Sequence, residues 1–153
     1  GGGGAAATSI YCGLKNKNCT KIVCLTRSPE KTLKNFEYLE QEKKFSIYNL
    51  DQESISSTLN NVSNILSKIV LINSLPLGLS DVKSSGSYAE ENSFALEIIK
   101  KLNSKNCCYF DLIYDDTKAI KFANEKGIKN MNGKLMLTTQ AKESFLLWTG
   151  MHL

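Results

Sequence analysis

Hydrophobic residues along this chain occur in two alternating arrangements, short continuous runs and longer stretches in which apolar positions recur every three or four residues. Short β-branched or apolar runs are typical of buried strands, and the longer period is typical of helices packed on one side. The runs predict strands over residues 21–26, 45–50, 68–74 and 109–114. The periodic stretches predict helices over residues 28–44, 53–66, 92–102, 115–127 and 135–148. This alternation predicts an α/β fold with a mainly parallel sheet.

The helix after the first strand carries clear boundary signals. Ser28 is a suitable N-cap, and Pro29 fits the first helical position. Leu33, Phe36 and Leu39 then fall on one helical face, which we expect to be buried.

The run at 68–74 is apolar at nearly every position, which predicts a strand covered on both faces of the sheet. Gly127 lies at the end of the helix predicted over 115–127, where a glycine is suited to terminate the helix. In parallel α/β sheets ligands bind at the carboxyl ends of the strands, so residues directly after strands are the candidates for function.

Composition excludes several classes of protein. The net charge of +4 comes from dispersed residues, and the densest basic stretch, 15–21, contains no aromatic residue, so we predict no nucleic-acid binding. The longest apolar run, 69–79, is too short to span a membrane and contains Asn, Pro and Gly. We expect a cytoplasmic protein, with organellar targeting left open because residue 1 is not methionine.

The cysteines do not form a metal or disulfide pattern. No CxxC pair occurs, His152 is the single histidine, and an odd number of cysteines favours reduced thiols. We predict no metal site, and we expect Cys24 to lie in a strand. The five cysteines are Cys12, Cys19, Cys24, Cys107 and Cys108.

The first residues match a phosphate-binding pattern. Gly1, Gly3 and Ala6 fit G-x-G-x-x-A, in which small residues allow a tight turn, approach of a pyrophosphate and close packing of helix on strand. Such a turn needs a strand before it, and a glycine-rich tag or linker would match equally well.

Two positively charged residues after the strand predicted over 21–26 strengthen the hypothesis that this chain binds a dinucleotide. An NAD enzyme usually has an acidic residue there to bind the ribose. This chain has Arg27 instead, with Lys31 one turn into the helix, and both suit a 2′-phosphate. The pattern predicts NADP(H) binding, with a plain surface arginine as the alternative.

Five ordered motifs resemble a known family. "GGGGAAA", "LTRSPEK", "INSLPLGL", "DLIYDD" and "NGKLMLTTQAKESFLLWTG" are similar to the signatures of the NADP-binding domain of the shikimate dehydrogenase family, over residues 1–150. The resemblance implies one domain over 1–153, a Rossmann-like doubly wound parallel sheet. It also implies that the helix from about residue 135 faces a separate substrate domain.

The resemblance implies contacts with NADP at the pyrophosphate turn, the 2′-phosphate and the nicotinamide end. These residues are Gly1, Gly2, Gly3, Gly4, Ala5, Thr26, Arg27, Ser28, Lys31, Asn73, Leu75, Leu112, Gly133 and Met136. Tyr114 and Gln140 would bind the hydroxylated ring of shikimate or 3-dehydroshikimate, and Pro76 and Gly78 would shape the turn after the third strand.

Each implied role has a structural alternative. Tyr114 could simply end a strand, and Gln140 could be solvated on its helix. Met136, Phe145 and Trp148 have the helical spacing of core residues. Gly133 could be a turn residue.

The chain also departs from the family signatures. Thr26 replaces an Asn, Leu75 and Leu79 replace a Thr and a Met, and Asp115–Asp116 replace Asn-Pro. The two added negative charges would lie close to an anionic substrate, which makes the preference for shikimate less firm than that for NADP.

The resemblance implies parts that these residues do not contain. The first strand would lie immediately before Gly1, and its absence would leave two half-sheets in a chain of marginal stability. The catalytic Lys/Asp pair would lie in the substrate domain, so no catalytic residue is assigned here. An NAD-dependent quinate/shikimate dehydrogenase, a regulatory relative without catalysis, and a domain fused to other shikimate-pathway enzymes are the alternatives.

Overall fold

The computed structural model of the chain describes residues 4–39, 42–63, 68–75, 88–102 and 104–152. Strands and helices alternate through these residues. The strands are β1 (Ile22–Thr26), β2 (Phe45–Asn49), β3 (Ile69–Asn73), β4 (Cys107–Asp111) and β5 (Lys129–Met131). The helices are α1 (Gly4–Lys15), α2 (Pro29–Asn35), α3 (Gln52–Ser63), α4 (Tyr88–Lys101), α5 (Lys118–Glu125) and α6 (Lys134–Thr149).

Contacts divide the chain into two compact units, residues 1–65 and 66–153. In the first unit β1 pairs in parallel with β2. In the second, β3, β4 and β5 form a parallel sheet in that order. The described strands thus form two parallel sheets, which confirms the α/β fold.

The core of the first unit is built where α1 and α2 contact β1. Its buried residues include Ile10, Cys24 and Phe36, and the Phe36 ring packs edge-on against Phe45 with centroids 5.9 Å apart. Helix α1 comes close to β1 at Gly13, where a Cβ would lie 2.9 Å from Cδ1 of Ile22. A small residue therefore permits this approach of helix to strand.

The helix predicted over 28–44 is shorter in the structure. Ser28 is its N-cap and Pro29 its first residue, as predicted, although the Ser28 side chain makes no cap hydrogen bond. The helix ends at Asn35, and a 3-10 turn then carries Leu39 into the core. Leu33 is 42% exposed, so the expectation that it is buried was wrong.

The core of the second unit is built where α5 packs against α4, β4 and β5. Helix α5 begins at its N-cap Thr117, whose Oγ1 accepts a hydrogen bond from the backbone N of Ile120 at 3.2 Å. It is followed by Gly127 with φ +67°, the left-handed conformation that ends helices, as predicted. The fully or nearly buried residues include Ile99, Tyr109, Ala119, Ile120, Ala123 and Ile128.

Two expectations about the second unit were wrong, and one strand was not predicted. The fourth strand was placed over 109–114 but spans Cys107–Asp111, so Tyr114 lies in the loop beyond it. The short, polar β5 was not predicted, because three residues give no hydrophobic pattern. Strand β3 is not covered on both faces, since alternate side chains point outward and Val70 is 64% exposed.

Candidate functional site

The glycine-rich start leads directly into a helix. Gly1, Gly2 and Gly3 lie outside the described residues, and α1 begins at Gly4. Ala5 lies in the first turn of α1, and Ala6 is buried in the first unit. A helix N-terminus after small residues offers free backbone N–H groups to a phosphate, so the pyrophosphate role of this segment stays a consistent prediction.

The end of β1 separates a buried hydroxyl from two exposed cations. Thr26 is 3% exposed, and its Oγ1 lies 3.0 Å from Oγ1 of the buried Thr32. The backbone N of Ser28 donates to Thr26 Oγ1 at 3.4 Å, which turns the chain toward α2. Arg27 and Lys31 are exposed at this turn. Thr26 therefore shapes the turn from inside, while the two cations and the exposed Ser28 side chain are the groups that could contact a ligand.

The end of β3 is organised by the Asn73 side chain. Its Nδ2 donates to Oδ1 of Asp111 at 3.1 Å, and its Oδ1 accepts a hydrogen bond from the backbone N of Leu75 at 3.2 Å. Both polar atoms of the amide are thus used to form the loop, which brings Asn73 and Leu75 together. Pro76, Gly78 and Leu79 lie outside the described residues.

Asp111, at the end of β4, is a functional candidate that sequence reasoning missed. It is fully buried and accepts four hydrogen bonds, from Asn73, Tyr109, Ile113 and Thr117. Burial first, and then the charge of Asp111, raise the pKa of Tyr109 well above its ordinary value. An acidic residue inside the apolar run "YFDLIY" was the signal that could have identified it, since buried carboxylates require donors.

Gly133 and Leu112 are brought into direct contact. The backbone N of Gly133 donates to the carbonyl oxygen of Ile113 at 2.8 Å. A Cβ at Gly133 would lie 2.8 Å from the carbonyl carbon of Leu112 and still closer to its oxygen. Since these are backbone atoms, only glycine fits. The start of α6 therefore rests against the chain that leaves β4, with bare backbone at the contact.

The substrate-ring candidates are accessible. Tyr114 is 45% exposed in the loop after β4, and Gln140 is exposed on α6. Met136 is half-buried one helical turn before Gln140, so the two share a side of the helix. Trp148 is 84% exposed, and α6 has no buried residue, so the alternative that Trp148 is a core residue was wrong.

One of the two unusual aspartates has a structural partner. Oδ1 of Asp116 accepts from Nδ2 of Asn132 at 2.9 Å, and Oδ1 of Asn132 accepts from the backbone N of Lys134 at 3.2 Å. Asp116 thereby helps to fix the start of α6. The side chains that replace Asn-Pro are thus partly engaged within the fold.

Further features of the described ranges concern metals, thiols and membranes. Within them no group of three or more His, Cys, Asp or Glu side chains is placed to hold a metal ion, and all five cysteines are free thiols. Cys24 is buried in β1, as expected. No helix in the described part of the chain is long and apolar enough to cross a membrane.

Parallel strands that alternate with helices, and a first helix that begins after small residues, define a Rossmann-like α/β fold. No protein-family model matches the chain. The shikimate dehydrogenase (NADP(+)) of Clostridium botulinum strain Hall is 32% identical over 149 residues, 96% of this chain and 48% of the relative. That of Prochlorococcus marinus strain MIT 9215 is 29% identical over 154 residues. These matches confirm the resemblance: shikimate dehydrogenases are homologues of this chain.

Solved structures agree with the sequence matches. A shikimate dehydrogenase from Aquifex aeolicus has a TM-score of 0.63 at 26% identity, covering 100% of this chain and 47% of its own. A chorismate mutase/shikimate 5-dehydrogenase fusion protein from Clostridium acetobutylicum has a TM-score of 0.62 at 27% identity, covering 99% of this chain and 46% of its own. The chain spans about half the length of the curated relatives it matches.

Proposed function

We propose that this chain is the NADP(H)-binding part of a shikimate dehydrogenase, which reduces 3-dehydroshikimate to shikimate with NADPH in aromatic amino acid biosynthesis. The observation that carries the proposal is 32% identity over 96% of the chain to proteins named shikimate dehydrogenase (NADP(+)). NADPH would supply the hydride for the reduction.

The residues of this chain fit that cofactor at two places. Arg27 and Lys31 provide positive charge after β1, where a 2′-phosphate distinguishes NADP from NAD. At the other end, Gly133 lets the start of α6 pack directly on the backbone of Leu112, which brings together the two residues that would contact the nicotinamide. Gly1–Ala5 would hold the pyrophosphate, with Asn73, Leu75 and Met136 beside the nicotinamide half.

The substrate would meet this chain at two polar side chains. The Tyr114 hydroxyl and the Gln140 amide can each hydrogen-bond a ring hydroxyl, and both are exposed in the second unit. The proton relay to the substrate carbonyl is expected from a Lys/Asp pair in the substrate domain. The role proposed for this chain is therefore to bind the cofactor and to orient the ring.

The first experiment is an absorbance assay on the full-length protein that carries this chain, with shikimate and either NADP+ or NAD+. We expect NADP+ to be preferred. An Arg27→Ala/Lys31→Ala variant should lose most of that preference. Each charge-assisted hydrogen bond contributes about 1.5–3 kcal/mol, so KM for NADP+ should rise on the order of 100-fold or more while KM for NAD+ changes little.

Lys34→Ala is the matched control, because Lys34 is an exposed lysine one turn further along α2. It should leave both KM values unchanged. A wild-type preference for NAD+ with quinate would favour the quinate/shikimate alternative. Binding of NADP+ without turnover would favour a regulatory relative, and no binding of either nucleotide would refute the proposal.

A further inference from the structure

The buried carboxylate Asp111 connects segments that the proposed function places at the nicotinamide end. We propose that Asp111 is a positioning residue for hydride transfer: it fixes the chain ends of β3 and β4 against each other and so sets the backbone on which Gly133 rests. This inference depends on the proposed function. Asp111 itself is fully buried and would not touch the cofactor.

The two oxygens of the Asp111 carboxylate have different partners. Oδ1 accepts from Nδ2 of Asn73 at 3.1 Å and from the backbone N of Ile113 at 3.2 Å. Oδ2 accepts from the hydroxyls of Tyr109 and Thr117, each at 2.8 Å. One oxygen therefore binds the loops at the strand ends, and the other is anchored in the core and at the N-cap of α5.

The contacts of Oδ1 continue to the predicted cofactor residues. Asn73 is held through its Nδ2. Its Oδ1 accepts a hydrogen bond from the backbone N of Leu75, which fixes the first turn of the loop after β3. Ile113 is held through its backbone N, and its carbonyl oxygen accepts a hydrogen bond from the backbone N of Gly133 at 2.8 Å. A continuous series of hydrogen bonds thus runs from Leu75 through Asp111 to Gly133.

The backbone also links the two strand ends directly. Asn73 and Asp111 are opposite each other in the β3–β4 pairing, and the backbone N of Leu112 donates to the carbonyl oxygen of Asn73 at 3.0 Å. Loss of the carboxylate would leave this backbone contact but free the Asn73 amide and the Ile113 N–H. The strands would remain paired while the loops beyond them lost their fixed geometry.

A buried polar network could instead serve stability alone, and the two roles have different kinetic effects. A residue that only stabilises the fold changes the amount of folded enzyme but not the turnover of the folded fraction. A residue that positions the reacting groups changes kcat, because a misplacement of about 1 Å can cost on the order of 100-fold in rate.

The test measures kcat, KM for NADP+ and melting temperature in the full-length protein for wild type, Asp111→Ala and Asp111→Asn. Asp111→Ala removes both acceptors, and we expect kcat per folded enzyme to fall on the order of 10–100-fold, with a smaller change in KM. Asp111→Asn keeps one carbonyl oxygen for Asn73 and Ile113, while its amide can donate to the two hydroxyls. It should therefore restore most of the turnover.

One control variant and one variant of the network test whether Oδ1 and Oδ2 of Asp111 have different roles. Ile128→Ala opens a cavity in the same unit without touching the network, and it should lower the melting temperature while kcat stays unchanged. Tyr109→Phe removes a donor from Oδ2 only and should behave like Ile128→Ala. Should Asp111→Ala fail to fold, Asp111→Ser keeps a small polar group at the buried position and carries the same expectation.

The outcomes separate this inference from the proposed function. An inactive wild type with either nucleotide would overturn both. An active wild type in which Asp111→Ala, or Asp111→Ser in its place, keeps the kcat of Ile128→Ala would overturn the positioning role alone. An equal loss of kcat in Tyr109→Phe and Asp111→Ala would refute the division between Oδ1 and Oδ2 and with it the proposal.

Discussion

Substitution of Gly133 by alanine should destabilise the second unit because the added methyl group has no space. The Cβ would lie 2.8 Å from the carbonyl carbon of Leu112 and 3.2 Å from that of Ile113. Both are backbone atoms at the end of β4, so they cannot move aside by a change of rotamer. The φ of Gly133 is −75°, which alanine adopts freely, so the predicted cost comes from packing and not from backbone strain.

The magnitude follows from three contributions. Overpacking of this kind costs about 1–3 kcal/mol. Alanine is a poorer N-cap than glycine, by about 0.5–1 kcal/mol. The 2.8 Å hydrogen bond from Gly133 N to Ile113 O would also lengthen, at a cost of about 0.5–1.5 kcal/mol. We expect the free energy of unfolding to fall by about 2–4 kcal/mol and the melting temperature by about 5–10 °C.

Circular dichroism during thermal and urea unfolding measures this change. Gly127→Ala is the matched control: its φ of +67° disfavours alanine, but nothing lies within 4 Å of the added Cβ. That strain costs about 1–2 kcal/mol, so Gly127→Ala should be less destabilised than Gly133→Ala. If Gly133→Ala melts at or above the temperature of Gly127→Ala, the steric argument is refuted.

Two further predictions concern a hydroxyl pair and a thiol. Thr26→Val leaves the buried Thr32 hydroxyl without its 3.0 Å partner. It should cost about 1–3 kcal/mol, and adding Thr32→Val should cost less than its effect alone; additive costs in a double-mutant cycle would contradict a direct interaction. Burial, and then the neighbouring Cys108, raise the pKa of the Cys107 thiol from 9.0 to about 11. Its neutral form therefore contributes stability that is complete below pH 9 and lost as the pH rises toward 11. Iodoacetamide at pH 8 should modify the exposed Cys12 and Cys108 but not native Cys107, and equal rates at Cys107 and Cys108 would contradict the burial argument.

Local sequence signals predicted the elements of this fold well where they were self-contained. The β-branched run of β1, the Ser28–Pro29 helix start and the Gly127 helix end depend on residues near one another in the chain. The end of β4 was misplaced because it depends on Asp111, whose side chain binds the backbone of Ile113 and turns the chain before Tyr114.

In the candidate site, too, local sequence signals predicted correctly, while contacts made only in the folded chain were missed. Arg27 and Lys31 are exposed after β1, as their position after a strand predicted. Thr26 was expected beside them, but its hydroxyl faces inward to Thr32, a partner that the motif did not indicate. The need for glycine at 133 arises from contact with Leu112, which lies far away in the sequence and becomes a neighbour only in the folded unit.

The C-terminal end of α6 carries a natural fluorescent probe. Trp148 is its single tryptophan, and with Leu147 it stands almost entirely in water. Indole emission moves to shorter wavelength and becomes harder to quench when the ring leaves water for an apolar surface. When this chain is excited at the red edge, where tyrosine does not absorb, its fluorescence with acrylamide or iodide as quencher therefore monitors the end of α6.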